Sequence, residues 1–267
     1  MQMSYVHGYS ERENQRLQDQ ASTLTELLHA DSLFSPGSLV LEAGCGVGSQ
    51  TLTLAQQNPE ASFTSVDISE LSLEQARHKV RAAGLTNVQF QRADIYHLPF
   101  PPASFDHAFV CFVLEHLQDP LAAIISLQKV LKPGGSITII EGDHGSAYFY
   151  PDSEAAHQAI QCQIKLQAEL GGNALIGREL YPLLRRSGFT DIRVSPRLVY
   201  VDAGKPELVD GFIKKTFTAM IEGVRDQAIQ ARLMEPAKFD QGIRDLYRTA
   251  DADGTFCYTF FKAVAFK

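Results

Sequence analysis

"LVLEAGCGVGSQT", Leu39 to Thr51, is the stretch from which the fold can be read. A short β-prone apolar run leads into an acid, Glu42, and then into glycines on alternate positions, Gly44, Gly46 and Gly48. Glycine loses more backbone freedom on ordering than any other residue, and one is enough for a turn, so three together point to backbone that approaches a ligand closely. A glycine-rich turn between a strand and a helix also aims the helix N-terminal amides at that ligand. The spacing approximates the G-x-G-x-x-G dinucleotide pattern, with Ser49 standing where the third glycine would be.

Working outward, apolar strand-like runs alternate with helical patterns: Leu39 to Glu42 then Ser49 to Gln57, and Ser62 to Asp67 then Ser69 to Ala83. Val88 to Arg92, His107 to Phe112 with Pro120 to Leu131, and Ser136 to Glu141 continue the series. Such alternation is the signature of a parallel sheet covered by helices on both faces, so the fold class is α/β. Asn58-Pro59, Ala83-Gly84 and "LKPGG" at Leu131 to Gly135 supply the helix stops, the last as a tight turn into the next strand. Beyond Glu141, "PDSEAAHQAIQCQIKLQAEL" reads as a long helix, followed by a "GGN" loop and a helix from Gly177 to Ser187. Strands return at Ile192 to Val201 and Thr255 to Phe266. The roughly fifty residues between them look helical throughout, an insertion whose size suits a cover over a pocket better than a bare loop. At the N-terminus, Glu11 to His29 reads as a helix with Leu17, Ala21, Leu24 and Leu28 along one face.

The 267 residues suffice for one large domain with an insertion. A formal net charge of -7 argues against a nucleic-acid partner, which demands a clustered basic surface. The polar start "MQMSYVHGYSERENQRLQDQ" lacks the apolar core of a signal peptide, and no apolar run of about 18 residues occurs, so a cytoplasmic chain with no membrane partner is expected. Cys45, Cys111, Cys162 and Cys257 are far apart and without metal-ligand spacing. Separate reduced thiols and no bound metal are expected.

Acids follow the strands. Asp67 ends "SFTSVD", where a carboxylate can accept both hydroxyls of a ribose. Asp94, in "VQFQRADIYHLPF", can accept an adenine amino group while Ile95 packs on the ring. Glu42 would repel a pyrophosphate but suits a ligand bearing ammonium and sulfonium cations. The glycine turn with Asp67 does not by itself separate a nicotinamide cofactor from another adenosine compound.

"VLEAGCGVGSQT", "SVDIS", "RADIYHLPFPPASFD", "VLEHLQDP" and "LKPGGSITIIEGD" together resemble the sequential motifs of class I S-adenosylmethionine-dependent methyltransferases, over about Leu39 to Glu141. More narrowly, the chain is similar to the group containing ubiquinone/menaquinone-biosynthesis-like and small-molecule methyltransferases. The resemblance implies a Rossmann-like, seven-stranded, mostly parallel sheet with helices on both faces and helical lid insertions, in which the Thr255 to Phe266 strand is inserted antiparallel. It implies one domain over 1–267: an N-terminal lid over 1–35, a cofactor-binding half over 36–145, and substrate-covering segments over 146–189 and 202–254.

Residue by residue, the resemblance places Gly44, Gly46 and Gly48 against the methionine part of S-adenosylmethionine, Glu42 near its amino end, Asp67 at the ribose, and Asp94 with Ile95 at the adenine. Tyr9, Gln50, Ile68 and Cys111 complete the expected cofactor contacts, with Tyr5 as a further lid candidate, and S-adenosylhomocysteine is the product. A small-molecule methyl acceptor is expected, with the protein a monomer or homodimer.

In an open α/β sheet the chemistry lies at the carboxyl ends of the strands. His144, in "EGDHGSAYFYP", is a candidate general base against an aromatic wall of Tyr148, Phe149 and Tyr150, the alternative being a hydrogen-bonded loop histidine. His116, in "LEHL", is the second catalytic candidate or a structural helix opener. Glu141, Tyr148, Tyr150 and Arg178 are the candidate acceptor contacts, with a solvated helix start as the other reading of Arg178. Asp143 caps local backbone or touches substrate. Among rival functions, an RNA or protein methyltransferase stays open. Enzymes acting on nucleobase amines carry an Asn/Asp-Pro-Pro-aromatic stretch where this chain reads "CFVLEH". A nicotinamide-dependent oxidoreductase is disfavoured by Ser49 and Glu42. Acceptor identity and the methylated atom are not written in the sequence.

Overall fold

The computed structural model describes residues 23–267. Tyr5, Tyr9 and most of the expected N-terminal lid lie outside them. Helix α1 is described over 23–29, with Leu24 and Leu28 buried as the expected stripe requires. The strands are β1 (Leu39–Ala43), β2 (Ser62–Asp67), β3 (Val88–Arg92), β4 (Phe105–Cys111), β5 (Leu131–Gly142), β6 (Tyr148–Tyr150), β7 (Thr190–Val201) and β8 (Thr255–Phe266). The helices are α2 (Ser49–Gln57), α3 (Glu70–Ala82), α4 (Pro120–Val130), α5 (Glu154–Glu169), α6 (Leu180–Arg186), α7 (Pro206–Leu208), α8 (Ala219–Glu222), α9 (Arg225–Gln230) and α10 (Pro236–Arg248).

Strand order is β3-β2-β1-β4-β5-β8-β6, with β7 paired to β8. The pairs β1–β2, β1–β4, β2–β3 and β4–β5 are parallel. Central strands buried on both faces explain the near-continuous apolar runs: Val40, Leu41, Phe109, Val110, Ile137 and Ile139 are all fully buried. Local chemistry sets the helix starts. Ser69 caps α3 through the Ser72 amide, and Asp119, followed by Pro120 in the first turn, caps α4 through the Ala122 amide.

The α/β expectation holds, with two corrections. The sheet has eight strands and not seven, because Tyr148–Tyr150 forms a short strand antiparallel to Cys257, Phe256 and Thr255 of β8. The "LKPGG" stretch is part of β5 and not a free turn: Leu131 pairs with Phe105, the Gly134 amide donates to Lys267 O, and the Lys267 amide donates to Gly135 O. Those bonds set the start of β5 against the end of β8, the sense of an antiparallel pair.

The chain forms two compact units. One comprises Thr25–Glu141, Gly177–Pro196 and Phe261–Lys267 and holds β1–β5. The other comprises, among the described residues, Thr23, Leu24, Gly142–Ile176 and Arg197–Phe260, and holds β6, α5 and α7–α10. In this second unit Val209–Thr218 is wound as a π-helix, in which the Thr216 hydroxyl donates to Gly211 O at 2.7 Å. All four cysteines are free and buried. Among the described residues no helix is long and apolar enough to cross a membrane.

Candidate cofactor site

The order β3-β2-β1-β4-β5 reverses direction between β1 and β4, the topological switch where open α/β sheets bind ligands. The glycine turn sits there. Its glycines are all left-handed, at φ 78, 51 and 77 for Gly44, Gly46 and Gly48. The Gly44 and Cys45 amides both donate to Val66 O, at 2.8 and 3.0 Å, tying the turn to β2. A Cβ on Gly44 would run into the Val113 side chain, and one on Gly48 would meet Ala76 Cβ at 2.8 Å. At Gly46 nothing lies within 4 Å. The outer glycines therefore close the turn onto protein, and the middle one faces open space. A glycine at the N-cap offers α2 no side-chain acceptor, and no acid stands in the first turn, so neither caps the amides of that helix start.

Asp67 is held at the end of β2, where the Gly46 amide donates to its Oδ2 at 2.8 Å and the Ser69 amide to its Oδ1 at 2.9 Å. Burial raises its pKa, while those backbone bonds pull the other way. Each oxygen still has a lone pair for a ligand hydroxyl. Ile68 turns its carbonyl to Arg92 Nε. Asp94 accepts the Tyr96 amide on Oδ1 at 2.9 Å and faces His97 Nδ1 from Oδ2 at 3.3 Å, while Ile95 beside it is only 7% exposed.

Glu42 is buried, and one oxygen, Oε2, accepts both the Thr51 and Ser65 hydroxyls at 2.6 Å. Burial outweighs the hydroxyls and pushes its pKa up to about 7. Gln50, the neighbour of Thr51 on α2, has Oε1 2.6 Å from His29 Nε2. Burial lowers the His29 pKa to about 4, so the ring is neutral, and its Nδ1 is buried without a hydrogen-bond partner. Lys262 of β8, almost wholly buried, donates to Leu28 O, Asp31 Oδ1 and Ser32 Oγ and so clasps the end of α1. Cys111, at the end of β4, has its thiol pKa pushed up by burial. Among the described residues no group of three or more metal-ligating side chains occurs.

After β4 the chain turns sharply. Phe112 adopts φ 57, a left-handed conformation that is strained for a bulky residue, and Leu114–His116 forms a single 3-10 turn. Glu141, at the end of β5, accepts the Val113 and Leu114 amides on Oε1 at 3.0 and 2.7 Å. It is 0% exposed, so its place is beneath that turn and not on a surface that could take an acceptor. His116 lies on the turn with Nε2 3.6 Å from Glu115 Oε1.

In the other unit, His144 is buried, with Nδ1 2.7 Å from Tyr258 Oη and its amide donating to Ala174 O. Phe217 meets the ring edge-on at 6.5 Å and Tyr258 lies tilted at 5.9 Å. The expected wall of Tyr148 and Tyr150 is not what faces it. Strand alternation on β6 turns both outward, at 60% and 59% exposure, and sends Phe149 in to stack on Phe256. Asp143 accepts the Gly145 amide, the capping alternative for that residue. Arg178 stands exposed on a 3-10 turn, Ile176–Glu179, that leads into α6.

Sequence reasoning missed Val113, Thr51, Ser65, His29, Tyr258 and Lys262. Lys262 alone left a signal, a lysine inside the apolar run "TFFKAVAF".

Residues 41–139 match the methyltransferase domain family. An uncharacterised methyltransferase of Schizosaccharomyces pombe is 35% identical over 147 residues, 53% of this chain and 52% of the relative, so the chain spans about half that protein's length. The 27-O-demethylrifamycin SV methyltransferase of Amycolatopsis mediterranei is 28% identical over 239 residues, 88% of this chain and 80% of the relative. Among solved structures, a Haemonchus contortus phosphoethanolamine N-methyltransferase bound to S-adenosylhomocysteine superposes with a TM-score of 0.58 at 18% identity, over 93% of this chain and 53% of that one. With the left-handed glycine turn at the switch point, these matches show that residues 41–139 form a methyltransferase domain.

Proposed function

We propose that the glycine turn binds S-adenosylmethionine and that the chain directs its methyl group to a small-molecule acceptor. The observation that carries this reading is the turn itself: Gly46 faces open space, its amide donates to Asp67 at the end of β2, and Glu42 stands one residue before the end of β1. The bound cofactor supplies an electrophilic methyl group with a neutral thioether leaving group. Asp67 accepts the ribose hydroxyls, Asp94 the adenine amino group, and Ile95 covers the ring. Glu42, Gln50 and the amides at the start of α2 serve the methionine end. Alignment and exclusion of water then account for much of the acceleration, at best about 7 to 11 kcal/mol. His144, fixed by Tyr258, is the proton acceptor for an acceptor that arrives protonated, and His116 the alternative. Segments 146–189 and 202–254 select the acceptor. The rifamycin-modifying relative, which aligns over most of its own length, favours a small molecule over a macromolecule.

Two variants and one titration test the reading. Calorimetry is expected to show binding of S-adenosylmethionine and not of NADH. Asp67→Ala should weaken that binding by about 1–3 kcal/mol through lost charge-assisted hydrogen bonds. Unchanged affinity would remove the ribose assignment, and preference for NADH would overturn the reading as a whole. His144→Ala should slow formation of S-adenosylhomocysteine while leaving cofactor affinity as it was. An unaffected rate would show that His144 takes no proton.

A further inference from the structure

A histidine is a costly residue at position 29. Its side chain is 1% exposed, the ring lies tilted against Phe109 of β4 at 5.8 Å, and Nδ1 is buried with no hydrogen-bond partner. Phenylalanine would fill such a place without that penalty. What the imidazole supplies is a single bond, with Nε2 2.6 Å from Gln50 Oε1. The backbone on either side of it is anchored, because Lys262 donates to Leu28 O, Asp31 Oδ1 and Ser32 Oγ. The ring is therefore held in place from three directions, with one polar contact to show for it.

The other ring nitrogen sets the direction of that bond. A neutral imidazole carries one proton. On Nδ1 that proton would make a buried N–H with no acceptor, an arrangement rarer than an unused lone pair. The proton is therefore on Nε2, which donates, and Gln50 has to present its oxygen. The amide nitrogen of Gln50 is thereby turned away from His29. Gln50 is the second residue of α2, just past Gly48, and is half-buried. Among the described residues its Nε2 has no hydrogen-bond partner, and it is open to solvent. The Ser49 hydroxyl beside it in the chain is buried and also without a partner. Two polar groups at the start of α2, next to the glycine turn, are thus left unclaimed by protein.

We propose that His29 is a positioning residue of the cofactor cradle, which holds the Gln50 amide with its nitrogen toward the ligand as a donor to the carboxylate at the methionine end of S-adenosylmethionine. This rests on the glycine turn being the S-adenosylmethionine site. His29 touches no ligand; it acts through Gln50. An unheld glutamine turns its amide over and offers an oxygen, which repels a carboxylate. The histidine removes that orientation, so the donor is in place before the ligand arrives. The consequence is preference for ligands that carry the carboxylate over adenosine compounds that lack it.

The test measures affinity by calorimetry for S-adenosylmethionine and for decarboxylated S-adenosylmethionine, which keeps the sulfonium and the ammonium and lacks only the carboxylate. His29→Phe keeps a ring against Phe109 and removes the donor. Its affinity for S-adenosylmethionine is expected to fall about fivefold to tenfold, while that for the decarboxylated compound changes by less than about twofold. His29→Gln offers an amide N–H in place of Nε2–H and should bind S-adenosylmethionine within about threefold of wild type. With Gln50→Ala already present, His29→Phe should change the affinity by less than about twofold, since no amide is left to orient. Equal losses for the two compounds, or the same loss with and without Gln50, overturn the proposal and leave His29 as packing between α1 and α2. Should His29→Phe fail to fold, Gln50→Glu decides, because it sets an oxygen where the nitrogen was. A loss of more than about tenfold for S-adenosylmethionine alone supports the proposal, and equal losses overturn it. Wild type that binds neither compound refutes the glycine turn as the site, whereas wild type that binds both, with a ratio unmoved by His29→Phe, refutes this role alone.

Discussion

Alanine at Gly44 is expected to destabilise the protein by about 3 kcal/mol, of which roughly 1–2 come from holding a Cβ in the left-handed region and the rest from overlap with Val113. The backbone there stands at φ 78, and both the Gly44 and Cys45 amides are committed to Val66 O, so the turn cannot rotate away without losing those bonds. Trimming the obstacle separates the two contributions. In Gly44→Ala with Val113→Ala the overlap goes but the strain stays, and about half the lost stability should return, less the small cost of emptying the valine site. No recovery in a denaturant titration would mean that overlap is not the cause. Gly46→Ala provides the contrast. Its Cβ meets nothing within 4 Å, so stability should fall by only about 1 kcal/mol. That methyl nonetheless projects where a ligand has to lie, and cofactor affinity should drop by more than about tenfold, since a close backbone approach has been blocked. A Gly46→Ala protein that binds S-adenosylmethionine like wild type would show that the open side of the turn is not where the cofactor sits.

Lys262→Met should cost about 3 kcal/mol, because methionine replaces the aliphatic stem and leaves the polar partners of the ammonium behind. Leu28 O and the Ser32 hydroxyl are buried and cannot all turn to water, whereas the Asp31 carboxylate, about half exposed, can. That difference keeps the loss below the upper range for a broken buried ion pair. The lysine also stands at the C-terminal end of α1, where a positive charge complements the helix dipole. A shift of the urea midpoint with an unchanged slope is the expected signature. A loss under about 1 kcal/mol would show the clasp to be dispensable, since that is the scale of an exposed ion pair.

Much of the cofactor half could be read without coordinates, because each element there is specified locally. Ser62–Asp67 and Val88–Arg92 are apolar or alternating runs bounded by turn residues, and Ser49–Gln57 begins at a glycine and ends at Asn58-Pro59. Glu42 and Asp67 were found because strand ends in such sheets face the ligand. What escaped was set by partners distant in sequence. Val113 matters only because β4 lies beside β1, and nothing in "CFVLEH" announces that it fills the space beside Gly44. The Tyr148–Tyr150 strand is too short to declare itself, and its pairing with β8 decides which tyrosines turn outward. Glu141 looked like an acceptor contact because its place at a strand end is legible, while its burial beneath the 113–114 backbone is not. His144 shows the same limit: its neighbours Phe217 and Tyr258 come from far along the chain.

The four buried cysteines divide evenly. Cys45 and Cys111 belong to the unit that carries the glycine turn, Cys162 and Cys257 to the other. Each unit thereby contains its own pair of thiols shielded from alkylating reagents while it stays closed. Labelling with iodoacetamide, resolved by peptide, reports the opening of either unit separately, with no engineered probe and no foreign dye.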